Sequence, residues 1–275
     1  MPSSLVNDHA NCLVDRESAR CYNFLALEKS TDIVAFVKDA ALKFDLHLSP
    51  SQEGQIATYT DSIRNWNTAI NLTSKRALDS IATTHYLDSL SIIPVLIRCA
   101  PYAKTMADVG SGAGFPGIPL KVALPGLFLS MIEATKKKAD FLAWTTAQLE
   151  LDGVEVIFRR VEEVAWMPGY REAFDVVTAR ALASLPVALE LTMPLCKVGG
   201  IVIIPGRGES QSHIEISQYA IQELGGELLE LERVNHPDLP EDSIILVVRK
   251  KISIGERYPR RVGIPAKRPL SGLRK

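Results

Sequence analysis

The sequence predicts an α/β fold: a mostly parallel, seven-stranded sheet with helices on both faces, preceded by an all-helical N-terminal portion. Three observations predict it. From residue 105 onward, short apolar runs alternate with amphipathic stretches, the pattern of βαβ units. A glycine-rich turn, Asp108-Val109-Gly110-Ser111-Gly112-Ala113-Gly114-Phe115-Pro116-Gly117, joins the first apolar run to a helix. Finally, Gly225-Gly226 and Asn235-His236-Pro237 mark turns before and after a candidate strand at 227–233, which suggests an antiparallel hairpin at the sheet's end.

Taken in order, residues 1–30 show no steady period and read as a poorly ordered or helical extension. Residues 31–100 read as the helical portion. Thr31-Asp32 caps a helix over 31–47, Ser49-Pro50-Ser51-Gln52 starts a second that runs to about Ile70, and a third spans roughly 77–96. Strands are expected at 105–110, 127–132, 154–158, 174–179, 200–205, 227–233 and 244–249, and helices near 116–124, 136–151, 185–196 and 210–224. Residues 101–251 thus form the sheet domain, and 252–275 a basic tail.

Composition narrows the function classes. With 275 residues, 47% of them apolar and 23% charged, the chain can bury a full core. It holds no apolar run long enough for a membrane span, and its start lacks the pattern of a secretory signal. Cys12, Cys21, Cys99 and Cys196 form no C-x-x-C pair and read as free thiols in a reducing cytoplasm. Net charge is −1, yet Arg249–Lys275 carries ten Lys/Arg against one acid, Glu256. A basic tail on an acidic body suggests an anionic partner, RNA before membrane, with a merely solvated tail as the plain alternative.

The glycine turn is where a doubly wound sheet takes a nucleotide-like ligand. Its spacing is G-x-G-x-G, and Phe115 stands where a dinucleotide fingerprint wants its third glycine, which favours S-adenosylmethionine, with no pyrophosphate to cradle. Gly110 and Gly112 let the backbone approach such a ligand. Asp108 either caps the loop or meets the ligand's amino group through water. Glu133, 23 residues after Gly110 at the end of the second strand, can accept from both ribose hydroxyls. Val161-Glu162-Glu163 follows the third strand, where an adenine edge is met or a helix simply starts. Arg180, at the tip of the fourth strand, and Arg207, after the fifth, are candidate cations for a carboxylate or RNA phosphate.

No metal-ligand spacing joins the five histidines and the cysteines, and no G-x-S-x-G elbow or Asn/Asp-Pro-Pro-Tyr/Phe motif is present. The residues therefore offer a cofactor pocket and cations without a nucleophile or base. Methylation at guanine N7 suits that set, because N7 carries an in-plane lone pair and no proton. On the residues alone, a methyltransferase for small molecules, an NAD-dependent oxidoreductase and an RNA-binding module with a vestigial pocket stay open.

Several segments in one order carry a resemblance: Trp66-Asn67, Asn71-Leu72-Thr73-Ser74, His85-Tyr86-Leu87-Asp88-Ser89-Leu90, Asp108 to Leu120, Arg160-Val161-Glu162-Glu163, Arg180-Ala181, Ala183-Ser184-Leu185 and Lys197-Val198-Gly199-Gly200. The chain resembles the bacterial small-subunit ribosomal RNA guanine-N7 methyltransferase family, also called the glucose-inhibited division protein B family, over about residues 33–270. The resemblance implies a class I, Rossmann-like methyltransferase fold, S-adenosylmethionine as methyl donor, and small-subunit RNA or its assembly intermediate as partner. Its cofactor contacts would fall on Gly110, Phe115, Val161, Glu162 and Arg180. Glu133 stands where members usually carry Asp, and Arg207-Gly208 where many carry Lys-Gly. Arg257-Tyr258-Pro259-Arg260-Arg261 resembles a tail of longer members, which strengthens the expectation of RNA contact there.

Overall fold

The computed structural model describes residues 29–208 and 211–271. Except for its last two residues, the expected 1–30 extension lies outside them, as do Cys12 and Cys21.

Helix α1 (Ser30–Leu42) buries Ile33, Phe36, Val37, Ala40 and Ala41, the apolar stripe read from the sequence. It stops five residues short of the expected 47. Asp45, at φ 57°, turns the chain, and the Leu46 N–H closes on the Ala41 carbonyl at 3.0 Å. The same device ends the helix over 136–148, where Glu150 has φ 50° and the Leu151 N–H closes on the Thr146 carbonyl at 3.1 Å. Helix α2 (Pro50–Asn67) opens with a full capping box between Ser49 and Gln52. It ends where Asn67 Oδ1 accepts the N–H groups of Leu72 and Thr73, each at 2.9 Å, fixing the exit of the chain.

The single helix expected over 77–96 is instead four pieces: α3 (Lys75–Asp79), a π-helical turn (Ala82–Leu87), α4 (Asp88–Leu90) and α5 (Ile92–Cys99). Hydroxyls cause the first breaks. Ser80 Oγ donates to the Arg76 carbonyl, and Thr84 Oγ1 reaches the Ala77 and Ser80 carbonyls, competing with the helical ladder. Pro94 causes the last, since it has no N–H to offer an earlier turn.

The sheet follows. Strand β1 (Thr105–Val109) leads through the glycine turn into α6 (Gly117–Ala123), then β2 (Phe128–Glu133), α7 (Lys136–Gln148), β3 (Val154–Phe158), α8 (Val161–Val164), β4 (Phe174–Ala179) and α9 (Leu185–Thr192). Strand β5 (Cys196–Arg207), α10 (Gln211–Glu223), β6 (Gly226–Arg233), β7 (Ser243–Lys250) and the short α11 (Ile264–Lys267) complete it. Helix α9 ends before the expected 196 because Pro194 cannot continue it. The strand order is β3-β2-β1-β4-β5-β7-β6, with β1 to β5 parallel and the β6–β7 pair antiparallel.

Alternation along the strands makes two cores. Met106, Leu129, Met131, Val176 and Ile203 pack with the N-terminal helices, α6 and α7. Val109, Ile132, Val177, Ala179 and Ile204 pack on the other face with α8, α9 and α10. Strand order reverses between β1 and β4, so the crevice outside their carboxyl ends is where such a sheet takes its ligand.

The basic C-terminal segment folds back onto this second core. Ile254, Tyr258 and Leu270 are buried there. Arg171 donates to the carbonyls of Ile254, Gly255 and Tyr258, and Arg260 binds the fully buried Glu190 through Nε at 2.8 Å. Fully buried Lys250 pairs with Glu172, which also accepts the Ile254 N–H. Two of the cations counted in the basic stretch, Lys250 and Arg260, are therefore spent inside the fold.

Candidate cofactor and substrate site

The glycine turn is held from two sides by carboxylates. At the end of β2, Glu133 accepts the Gly112 N–H through Oε2 at 2.9 Å and the Thr135 N–H through Oε1 at 2.7 Å. Gly112 has φ 58°, and a Cβ built there would meet nothing nearer than 3.7 Å. The turn thus presents open space beside a backbone that L side chains rarely adopt, which makes a cradle rather than a packed corner. Behind it, Asp108 Oδ2 accepts the Gly117 N–H at 3.3 Å, and a Cβ on Gly117 would come within 2.7 Å of that oxygen.

Asp108 is fully buried, and its other oxygen, Oδ1, has no partner. Burial pushes the carboxyl up to about 7, against the opposing pull of the nearby Ser111 hydroxyl, the Gly117 N–H and the positive charge of Arg180. A buried acceptor without a donor costs roughly 1–3 kcal/mol, so its presence marks a place for one. Of the two roles read for Asp108, the structure contains the loop-capping one.

Arg180 follows β4 and is neither exposed nor free. Its Nη1 donates to the Thr84 carbonyl at 2.8 Å and to Asp88 Oδ2 at 3.0 Å, and its Nη2 lies 2.7 Å from His85 Nδ1. Because a guanidinium only donates, His85 Nδ1 is an acceptor and its Nε2 carries the proton, 2.9 Å from Thr73 Oγ1. Burial and the charge of Arg180 lower the His85 pKa to about 3, so the ring is neutral at physiological pH. The ring stacks on Phe115 at 4.6 Å between centroids, and the Arg180 guanidinium stands 5.6 Å from the same Phe115 ring. Phe115, buried also against Tyr59 and Tyr86, is thus the bolt between the glycine turn and the helical portion.

The structure brings Gly110, Gly112, Glu133, Asp108, Phe115 and Arg180 to one edge of the sheet. Val161 is buried at the start of α8, and Glu162 beside it accepts the Gly263 N–H at 3.2 Å, so the C-terminal segment closes on that corner. Arg207, at the end of β5, lies 3.7 Å from Asp242 and is half-exposed. It shares a cavity of about 270 Å³ with Thr84, Asp88, Arg180, Leu182 and Leu185. Sequence reasoning singled out neither His85 nor Asp88 for a role. Their signal was the His85–Leu90 segment, where the π-helical turn and α4 bring the Thr84 carbonyl, His85 and Asp88 to Arg180.

Among the described residues no group of three His, Cys, Asp or Glu could hold a metal ion, and no helix is long and apolar enough to cross a membrane. Cys99 and Cys196 are free thiols.

The sequence model of the GidB family, rRNA small subunit methyltransferase G, matches residues 52–238, which contain every residue of this edge except those of the C-terminal segment. The chain belongs to that family. Among curated relatives called ribosomal RNA small subunit methyltransferase G, the Dehalococcoides mccartyi protein is 42% identical over 82% of this chain and 94% of its own. The Roseiflexus castenholzii protein is 39% identical over 84% and 97%, and that of Desulfitobacterium hafniense 36% over 83% and 93%. A member of the rRNA small subunit methyltransferase G family therefore carries the Glu133 and Asp108 anchors and the Arg180 bridge described above.

Proposed function

We propose that this chain transfers a methyl group from S-adenosylmethionine to N7 of a guanine in small-subunit (16S) ribosomal RNA, free or in an assembly intermediate, in the cytoplasm. The observation that carries the reading is a cradle with an unanswered buried acceptor next to a cation-lined cavity at the carboxyl ends of β4 and β5. The residues fit the cofactor. The open side of Gly112 admits a ribose, and the remaining lone pairs of Glu133 accept its hydroxyls. Asp108 Oδ1, orphaned and buried, answers an amino group directly or through water. Val161 and Glu162 flank the adenine position, and Gly110 and Phe115 shape the floor.

When bound, S-adenosylmethionine supplies an electrophilic methyl on a sulfonium sulfur. Nothing in the site needs to remove a proton. His85, the one histidine here, has its acceptor nitrogen taken by Arg180 and its N–H by Thr73. A guanine N7 needs no base, because its lone pair is free, and well-aligned reactants gain on the order of 7–11 kcal/mol from orientation alone. Half-exposed Arg207 meets the RNA strand, and the Arg180 N–H groups not spent on Thr84, Asp88 and His85 hold the base in place. The base itself must be presented unstacked.

The test is transfer of labelled methyl from the cofactor to purified small-subunit RNA, its assembly intermediates and large-subunit RNA. Label entering only the first two, and falling at least ~100-fold with Arg180→Ala, supports the reading. Label on large-subunit RNA, or transfer indifferent to salt and to Arg180, defeats it.

A further inference from the structure

We propose that Asp88 selects guanine, accepting hydrogen bonds from N1–H and the 2-amino group of the target base in the cavity beside Arg180. This rests on the guanine reading above and names the residue that enforces it.

Asp88 is the one carboxylate among the described residues lining that cavity. Its side chain is 14% exposed, reachable yet fixed. Arg180 holds it through Oδ2 at 3.0 Å, while Arg180 is itself locked by the Thr84 carbonyl and His85. One lone pair of Oδ2 is spent on that bond, which leaves Oδ1 for a ligand. The carboxylate is therefore preorganised as an acceptor, in a cavity of about 270 Å³ at the carboxyl ends of β4 and β5.

The four bases answer such an acceptor differently. Guanine presents two adjacent donors, N1–H and the 2-amino group, matched to a carboxylate. Adenine and cytosine turn a ring-nitrogen lone pair toward it beside one amino group, and uracil sets a single N–H between two carbonyls. An ionised carboxylate only accepts, so facing a lone pair leaves it unpaired and repelled. Sites built to hydrogen-bond a substrate group reject analogues that lack it. The contact also holds the base by the edge that does not carry N7, leaving that lone pair undonated to. The guanine O6, an acceptor, then finds cations on the same cavity in Arg180 and Arg207.

Inosine is the diagnostic probe, since it keeps N7, O6 and N1–H and lacks only the 2-amino group. Small-subunit RNA with guanosine or inosine at the methylated position, joined by splinted ligation, is compared for methyl transfer and for equilibrium binding, in wild type and Asp88→Asn. Loss of one hydrogen bond to a charged group predicts a preference for guanosine of about tenfold or more in the wild type, falling below about threefold in Asp88→Asn. The binding ratio reports even if the variant transfers no methyl, and thermal unfolding checks that it folds. A wild-type ratio near one, or a ratio unchanged in Asp88→Asn, overturns the role of Asp88 while leaving guanine as substrate. Label absent from guanine in the wild type instead overturns the function itself.

Discussion

Glu133 shows how much one side chain at this edge does at once. It keeps the glycine turn in shape through the Gly112 and Thr135 N–H groups, and it remains the acceptor proposed for the cofactor ribose. Glu133→Ala is expected to weaken cofactor binding about 10- to 100-fold by calorimetry, with Glu133→Gln between the two, because charge-assisted bonds are lost and Gly112 N–H is orphaned. Asp108 adds a pH dependence. Its folded-state pKa, about 7, lies above the ordinary value of an unfolded aspartate. Its contribution to stability is thus full below about pH 4 and is lost as pH rises through about 7. If the ionised carboxylate answers the cofactor's amino group, affinity rises over the same window. Cofactor titrations between pH 6 and about 8 should tighten with pH in the wild type and stay flat in Asp108→Asn.

Among elements, the C-terminal segment most repays a change of view. From composition it is a charged tail; in the fold it is a strap across α8, α9 and α10. Its residues meet buried or half-buried carboxylates 34 to 101 positions away in sequence: Arg257 and Tyr258 at Glu223, Arg260 at Glu190, the Ile254 N–H at Glu172 and the Gly263 N–H at Glu162. Local composition carries no trace of such partners. Arg260→Ala strands the buried Glu190 carboxylate and should cost about 3–5 kcal/mol, seen as a fall in the denaturant midpoint. Arg260→Ala with Glu190→Gln should recover part of it. Six of the seven strands, by contrast, were legible to within a residue at each end, because apolar runs between turns have few other uses, whereas β5 starts four residues before the expected 200 and ends two after 205. Strand β4 is the clearest case, with the same limits in sequence and structure. The 77–96 stretch was not legible: its apolar spacing is helical throughout, and only the hydroxyls of Ser80, Thr83 and Thr84 reveal that the ladder is diverted. At the site, the backbone-facing residues were readable from spacing. The Asp88–His85–Arg180 cluster was not, since it joins segments 92 to 95 residues apart.

For the whole molecule, the question is where RNA meets an overall acidic protein. Besides the C-terminal cations, the exposed Arg159 and Arg160 after β3, and Lys136 and Lys137 at the start of α7, follow the carboxyl ends of the strands that carry the cofactor edge. Exposed Phe158 lies among them, 6.0 Å below the Lys136 ammonium. Binding to small-subunit RNA should weaken steeply with salt, and Arg159→Ala with Arg160→Ala should reduce the log–log slope by about 2 with cofactor affinity unchanged. An unaltered slope would place the RNA elsewhere.

The most direct measurement is the chemical identity of the methylated nucleoside. Small-subunit RNA from cells lacking the enzyme is labelled in vitro, digested and resolved by mass spectrometry. All label in 7-methylguanosine, at one position, is the outcome this account predicts. Label in a pyrimidine or on an exocyclic amine would contradict it, because the account rests on alignment with a ring nitrogen whose lone pair carries no proton.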